Sequence, residues 1–152
     1  MNIIYRNYKY NYNLKTIKAI KDICRKYKRK FYIANNLHLA LGLNLDGIYI
    51  PSFNKSLKIR YVSKKNFEIL GSAHNFKEIY FKKKQGINKI FISPIFEVMK
   101  TNKYLGVIKY NLLSKYAYNE NIALGGINKN NLKKIKMVNC SGFAGIKYFK
   151  NG

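Results

Sequence analysis

Phe67-Glu68-Ile69-Leu70-Gly71-Ser72-Ala73-His74-Asn75-Phe76-Lys77-Glu78 holds a strand, a polar tip and a helix start in one short stretch. The apolar run through residues 67–73 suits a strand. Asn75 offers an N-cap, and Glu78 three residues on is placed as its capping-box partner. The helix it opens is expected to end near Gly86. Working outward, the same grammar recurs. Residues 2–6, 30–34, 47–51, 89–95, 121–127 and 142–149 are further apolar runs of strand length. Between them Leu14, Ile17, Ile20, Ile23, Cys24 and Tyr27 recur at helical spacing, as do Leu37, Ala40 and Leu41 before Gly42. Further helices are expected over 110–118 and around Leu132, Ile135 and Val138, while residues 52–66 are less regular. Strands apolar on both faces, alternating with helices, predict a parallel sheet covered by helices.

Composition bounds the rest. The 152 residues fit one domain over 1–152, and 47% hydrophobic residues are too many for a disordered chain. No stretch approaches the ~20 apolar residues of a membrane span, and the N-terminus lacks a signal-peptide core, so a cytoplasmic protein is expected. Cys24 and Cys140 have no metal-like or redox-like spacing and are expected to be reduced packing residues. The net charge of +24 draws phosphates, nucleic acids and anionic surfaces. Abundant Lys, Asn, Ile and Tyr also point to AT-rich codons as a source of that charge. The clusters Arg25-Lys26-Tyr27-Lys28-Arg29-Lys30 and Lys82-Lys83-Lys84 fall at expected helix C-termini, where solvated cations face the helix dipole.

In a parallel α/β sheet, chemistry gathers beyond the carboxyl ends of the strands. Along the chain those ends carry Tyr5-Arg6, Ile33-Ala34-Asn35, Asp46-Gly47-Ile48-Tyr49-Ile50 on to Asn54, and Leu70-Gly71-Ser72-Ala73-His74. Ser93-Pro94-Ile95-Phe96, Gly125-Gly126-Ile127 and Gly142-Phe143-Ala144 come next. No one of these is specific; their order and separations resemble the thiamine phosphate synthase and thiazole tautomerase (TenI-like) family. The resemblance starts at that family's second strand. It implies a TIM-type (β/α) barrel that is incomplete, its first βα unit and final helix missing. A barrel left open would expose strand edges. Self-association into a homo-oligomer, a seven-stranded closure, or a start codon further upstream are the expected remedies.

By resemblance, the reaction is a transferase step of thiamine biosynthesis, joining a hydroxymethylpyrimidine diphosphate to a thiazole phosphate with loss of diphosphate. The family uses Mg²⁺ held by two Asp, and their places fall at Asn35 and Asn54. An amide brings no negative charge, so Mg²⁺ affinity should fall sharply. Glu97 alone of the six acids follows a strand. Arg6 and Ser72 match the family's pyrimidine and diphosphate ligands, and its Gln and Lys near Arg6 fall at Ile4 and Tyr8. Either Lys100 or Lys103 could serve the shortened Thr/Lys motif. Gly125 and Gly126 let backbone N–H groups approach a phosphate, with Asn128 or Asn130 as a following cap and Ile146-Lys147 beside them. His74 matches the acid/base of the tautomerases, a chemistry needing no metal; it could equally be a capping residue. His38 is expected at the surface. Two rival functions therefore stand beside the synthase: a metal-free thiazole tautomerase, and a non-catalytic phosphate or nucleic-acid binder. Nucleic acid is the less expected partner, because no aromatic stacking motif is present.

Overall fold

Short apolar strands joined by helix-length crossovers are suited to parallel pairing, and the computed structural model shows that arrangement. It describes residues 1–8, 12–98, 102–117, 120–146 and 148. The strands are β1 (Ile3–Tyr5), β2 (Phe31–Ala34), β3 (Gly47–Ile50), β4 (Glu68–Ala73), β5 (Lys89–Ile92), β6 (Glu120–Leu124) and β7 (Gly142–Ala144). They form one parallel sheet in chain order, curled as in a TIM-type barrel. Among the described residues β7 does not pair with β1, so the seven-stranded closure is not formed. The crossovers carry α1 (Leu14–Lys26), α2 (Leu37–Gly42), α3 (Phe76–Lys84), α4 (Gly106–Ser114) and two 3-10 turns, Leu57–Tyr61 and Leu132–Met137.

Alternation along the strands divides the core in two. Tyr32, Ala34, Tyr49, Leu70 and Phe91 pack on the concave face with Ile4, Ile122, Leu124 and Ala144. Their neighbours Ile33, Ile48, Ile50, Ile69, Ile90 and Ile92 face the helices, meeting Ile17, Cys24, Ala40, Ile79 and Tyr110. The helical stripe expected on α1 splits. Ile17 and Cys24 are buried, Ile20 is partly buried against the core, and Leu14, Ile23 and Tyr27 are exposed.

Two local expectations are corrected, at α4 and at the start of α3. α4 begins at Gly106 rather than Tyr110, because Leu105 N and Gly106 N donate to Pro94 O and Ile95 O and so fix its entry. α2 does end at Gly42, and Asn44, at φ 49°, takes the left-handed turn that follows. Asn75 caps α3 by accepting from Glu78 N, yet the Glu78 carboxylate accepts from His74 N, not from Asn75 N.

The largest correction concerns Lys82, which is 0% exposed instead of lying on a solvated helix end. It follows Ile79 by three residues and so shares that helix's buried face. Its three donors are all used: Nζ donates to Pro51 O (2.8 Å), Asn54 O (3.1 Å) and Gln85 Oε1 (2.8 Å). Gln85 Nε2 donates in turn to Asn54 O (3.1 Å) and Ser56 O (2.8 Å). The pair clamps the loop after β3 onto α3. Burial, with Lys55 nearby, pushes the ammonium down from 10.5 to about 8. Between those values the unfolded chain binds more protons than the folded one, so this group's contribution to stability rises with pH. Lys82→Met is expected to cost about 1–3 kcal/mol at neutral pH by removing three charge-assisted bonds and leaving the buried Gln85 Oε1 without its donor. Urea unfolding should show the gap to wild type widening from pH 8 to 10.5.

Candidate functional site

Because all the strands run one way, their carboxyl tips form one mouth, and the register fixes who meets there. Ser72 lies beside Phe91, Phe91 beside Ile122, and Leu124 beside Ala144. The Ser72-Ala73-His74 tip of β4 and the Gly125-Gly126 tip of β6 therefore share the same end, as do Arg6, Asn35 and Asn54.

Asn35 follows β2 with φ 59°, and its N donates to Tyr49 O at 2.8 Å. That strained turn, which Asn tolerates better than most residues, aims its side chain at Asn54. Asn54 Nδ2 donates to Asn35 Oδ1 at 2.6 Å. Asn54 Oδ1 in turn accepts from Ser56 N at 2.8 Å. Both amide oxygens thus already accept bonds from within the chain. Two carboxylates at this spacing would repel and call for a cation; here one amide donates to the other and none is called for. Among the described residues no group of three or more His, Cys, Asp or Glu gathers anywhere. Glu97 is exposed on the loop after β5. The residues present do not fit Mg²⁺.

Arg6 is exposed at the tip of β1. Its guanidinium lies 5.4 Å from the Tyr8 ring centre and 5.7 Å from that of Tyr49. Tyr8 meets Phe53 edge-on at 5.5 Å, bringing the loop after β3 into the same cluster. Burial raises the Tyr8 hydroxyl above its ordinary value against the opposing pull of Arg6. A cation held among aromatic faces is suited to a flat heterocycle carrying negative charge. The motif reading found Arg6 but missed Tyr49 and Phe53. The signal for Tyr49 was its place in the inward alternation of β3.

Ser72 is buried on β4. His74, just beyond it, is half-exposed, and its Nδ1 lies 2.9 Å from Glu78 Oε2. Burial opposes ionisation of Glu78, but the His74 ring and backbone N–H hold its carboxyl below the usual range. The result is a carboxylate–imidazole pair at the start of α3, beside the Asn75 cap.

Gly125 and Gly126 take φ 98° and 70°. A Cβ on Gly125 would stand 2.8 Å from Pro94 Cβ, and one on Gly126 only 2.3 Å from Glu97 O. Close approach of residues 94–97, held by Ile95 N→Leu124 O and Phe96 N→Gly125 O, therefore requires both glycines. Beyond them Asn128 Oδ1 accepts from Asn130 N and Asn131 N, and Asn131 Nδ2 donates to Gly126 O. Asn128 thus closes the turn before residue 132 and does not cap the helix: the element that follows, Leu132–Met137, has Asn131 at its N-cap with no side-chain capping bond, and it is a 3-10 helix rather than the α-helix expected. Lys103 is exposed on the loop after β5, and Ile146 is 65% exposed two residues past β7. Lys100 and Lys147 lie outside the described residues.

Residues 2–149 match the family model described as thiamine monophosphate synthase. A thiamine-phosphate synthase of Prochlorococcus marinus is 31% identical over 125 residues, covering 80% of this chain and 36% of that protein. A putative thiamine-phosphate synthase 2 of Aquifex aeolicus is 30% identical over 140 residues, covering 89% and 74%. The chain spans about a third of the length of the Prochlorococcus relatives. Among solved structures, a thiamine phosphate pyrophosphorylase from Pyrococcus furiosus superimposes with a TM-score of 0.73 at 18% identity, covering 90% of this chain and 68% of that one. That likeness concerns the fold.

Proposed function

The chain belongs to the thiamine monophosphate synthase family, and from that membership we propose that it acts in thiamine biosynthesis in the cytoplasm, joining a pyrimidine diphosphate to a thiazole phosphate. The observation that carries this reading is the meeting of Arg6, Tyr8, Tyr49 and Phe53 at the mouth that also holds Ser72 and the glycine pair. In the proposed reaction the thiazole nitrogen forms a bond to the pyrimidine methylene carbon. The bond from that carbon to the diphosphate oxygen breaks, and diphosphate departs with the electron pair. Arg6 and Lys103 supply positive charge toward the departing group. The aromatic faces hold the pyrimidine plane, and the Gly125-Gly126 turn seats the thiazole phosphate. Because the amide pair does not fit Mg²⁺, no step is assigned to it. Expression in a thiamine-requiring strain lacking its own synthase should restore growth, and Arg6→Ala should abolish the rescue.

The His74–Glu78 pair favours a second reading. A carboxylate that orients a half-exposed imidazole suits metal-free proton transfer on a thiazole carboxylate. His74→Ala is expected to remove at least ~100-fold of any tautomerisation rate, and an unchanged rate eliminates this reading.

A further inference from the structure

The opposite end of the sheet, where the strands begin, holds a cavity of about 510 Å³ that the mouth chemistry does not use. Three loops build it, the turns that enter β2, β3 and β4. Each contains a non-glycine residue in the left-handed region: Lys28 (φ 50°), Asn44 (φ 49°) and Asn66 (φ 60°). Lys21, Arg25, Lys28, Arg29, Lys64 and Lys65 line it, with Lys30 at its edge. Asp46 is the one acid in the lining, and its Oδ2 is turned to the backbone, accepting from Phe31 N at 2.8 Å. Lys30 is paired with Glu68 at 2.6 Å. Among the described residues no carboxylate pairs with Arg25, Lys28, Arg29 or Lys65.

Codon bias spreads lysine over a surface; it does not gather cations round one concavity. Two of the four arginines in the chain line this cavity. Lys21 Nζ is anchored on Leu43 O and Lys64 Nζ on Asn44 Oδ1, both at 2.6 Å, so the walls are tied to each other. Each ammonium has three donors, and those bonds use one. A left-handed lysine at the rim costs on the order of 1 kcal/mol where glycine would cost none. The volume falls within the ~300–1,000 Å³ typical of small-molecule sites, and guanidinium forks match phosphate oxygens.

We propose that this cavity binds a small polyphosphate anion, at the end of the sheet opposite the mouth. The test is calorimetric titration of the full chain with inorganic tripolyphosphate and, separately, a nucleoside triphosphate, at ~0.15 M salt to screen the diffuse field. Arg25→Ala/Arg29→Ala should weaken tripolyphosphate binding at least ~10-fold. Removing the same charge from exposed sites on and beside α4, with Lys109→Ala/Lys115→Ala, should change it less than ~2-fold. Should the arginine variant fail to fold by circular dichroism, Lys28→Ala/Lys65→Ala on the exposed loops takes its place, with the same outcome expected. Tighter binding of the nucleoside triphosphate through the same residues assigns a nucleotide; equal binding assigns the phosphate chain alone; both sustain the site. Equal losses in the cavity and α4 variants, or no measurable binding, would overturn it. So would a single-stranded oligonucleotide that outcompetes tripolyphosphate at these residues, moving the surface to nucleic acid.

Discussion

Asn35→Asp combined with Asn54→Asp is expected to raise Mg²⁺ affinity by at least ~100-fold, because two carboxylates would replace a neutral pair at the spacing hard cations use. The bond between Asn54 Nδ2 and Asn35 Oδ1 at 2.6 Å sets the geometry. Without the cation, two like charges this close should destabilise the variant by roughly 1–3 kcal/mol, a penalty that Mg²⁺ would relieve. Either single substitution leaves one amide able to donate to the new carboxylate, so each alone should change stability little. Titration calorimetry with MgCl₂, and melting curves with and without it, read both effects. A wild-type chain that binds Mg²⁺ as tightly as the double variant would refute the amide-pair account.

Gly126→Ala carries the other large effect. The new methyl would fall 2.3 Å from Glu97 O and 2.5 Å from Phe96 O, at a φ of 70° that side chains rarely adopt. Overpacking and backbone strain together are expected to cost roughly 3–5 kcal/mol, read by urea unfolding, and to displace residues 94–97 from the mouth. Gly142→Ala is the contrast. Its methyl would meet only Ile122 Cδ1 at 3.7 Å, an ordinary contact, and the cost should stay within about 1 kcal/mol.

These two sites show what a linear sequence displays and what it conceals. The strand tips were legible because the chemistry of a parallel sheet recurs after each apolar run, so Arg6, Asn35, Asn54, Ser72 and the glycine pair could be placed at one mouth from their positions in the chain. That Asn35 and Asn54 bond to each other was not legible, since it depends on the left-handed turn at Asn35 and on a loop clamped from α3. The clamp itself was hidden in a run of three lysines, whose composition suggests solvent while the spacing from Ile79 places Lys82 in the core. The start of α4 escaped because it is set by carbonyls of residues 94 and 95 rather than by its own apolar spacing.

The basic cavity shows the same limit. Residues 25–30 do end a helix, with Arg25 and Lys26 in its last turn, as the dipole argument expected. Their convergence with Lys21, Lys64 and Lys65 arises only when three separate turns fold to one end of the sheet. Among the described residues β1 and β7 each pair with one neighbour only, which the same topology sets.

Growth of a synthase-deficient strain without thiamine, scored for wild type and for Arg6→Ala side by side, tests the thiamine assignment most directly. The arrangement at the mouth predicts growth with the first and none with the second. Failure of the wild type to support growth, or equal growth with both, would contradict it.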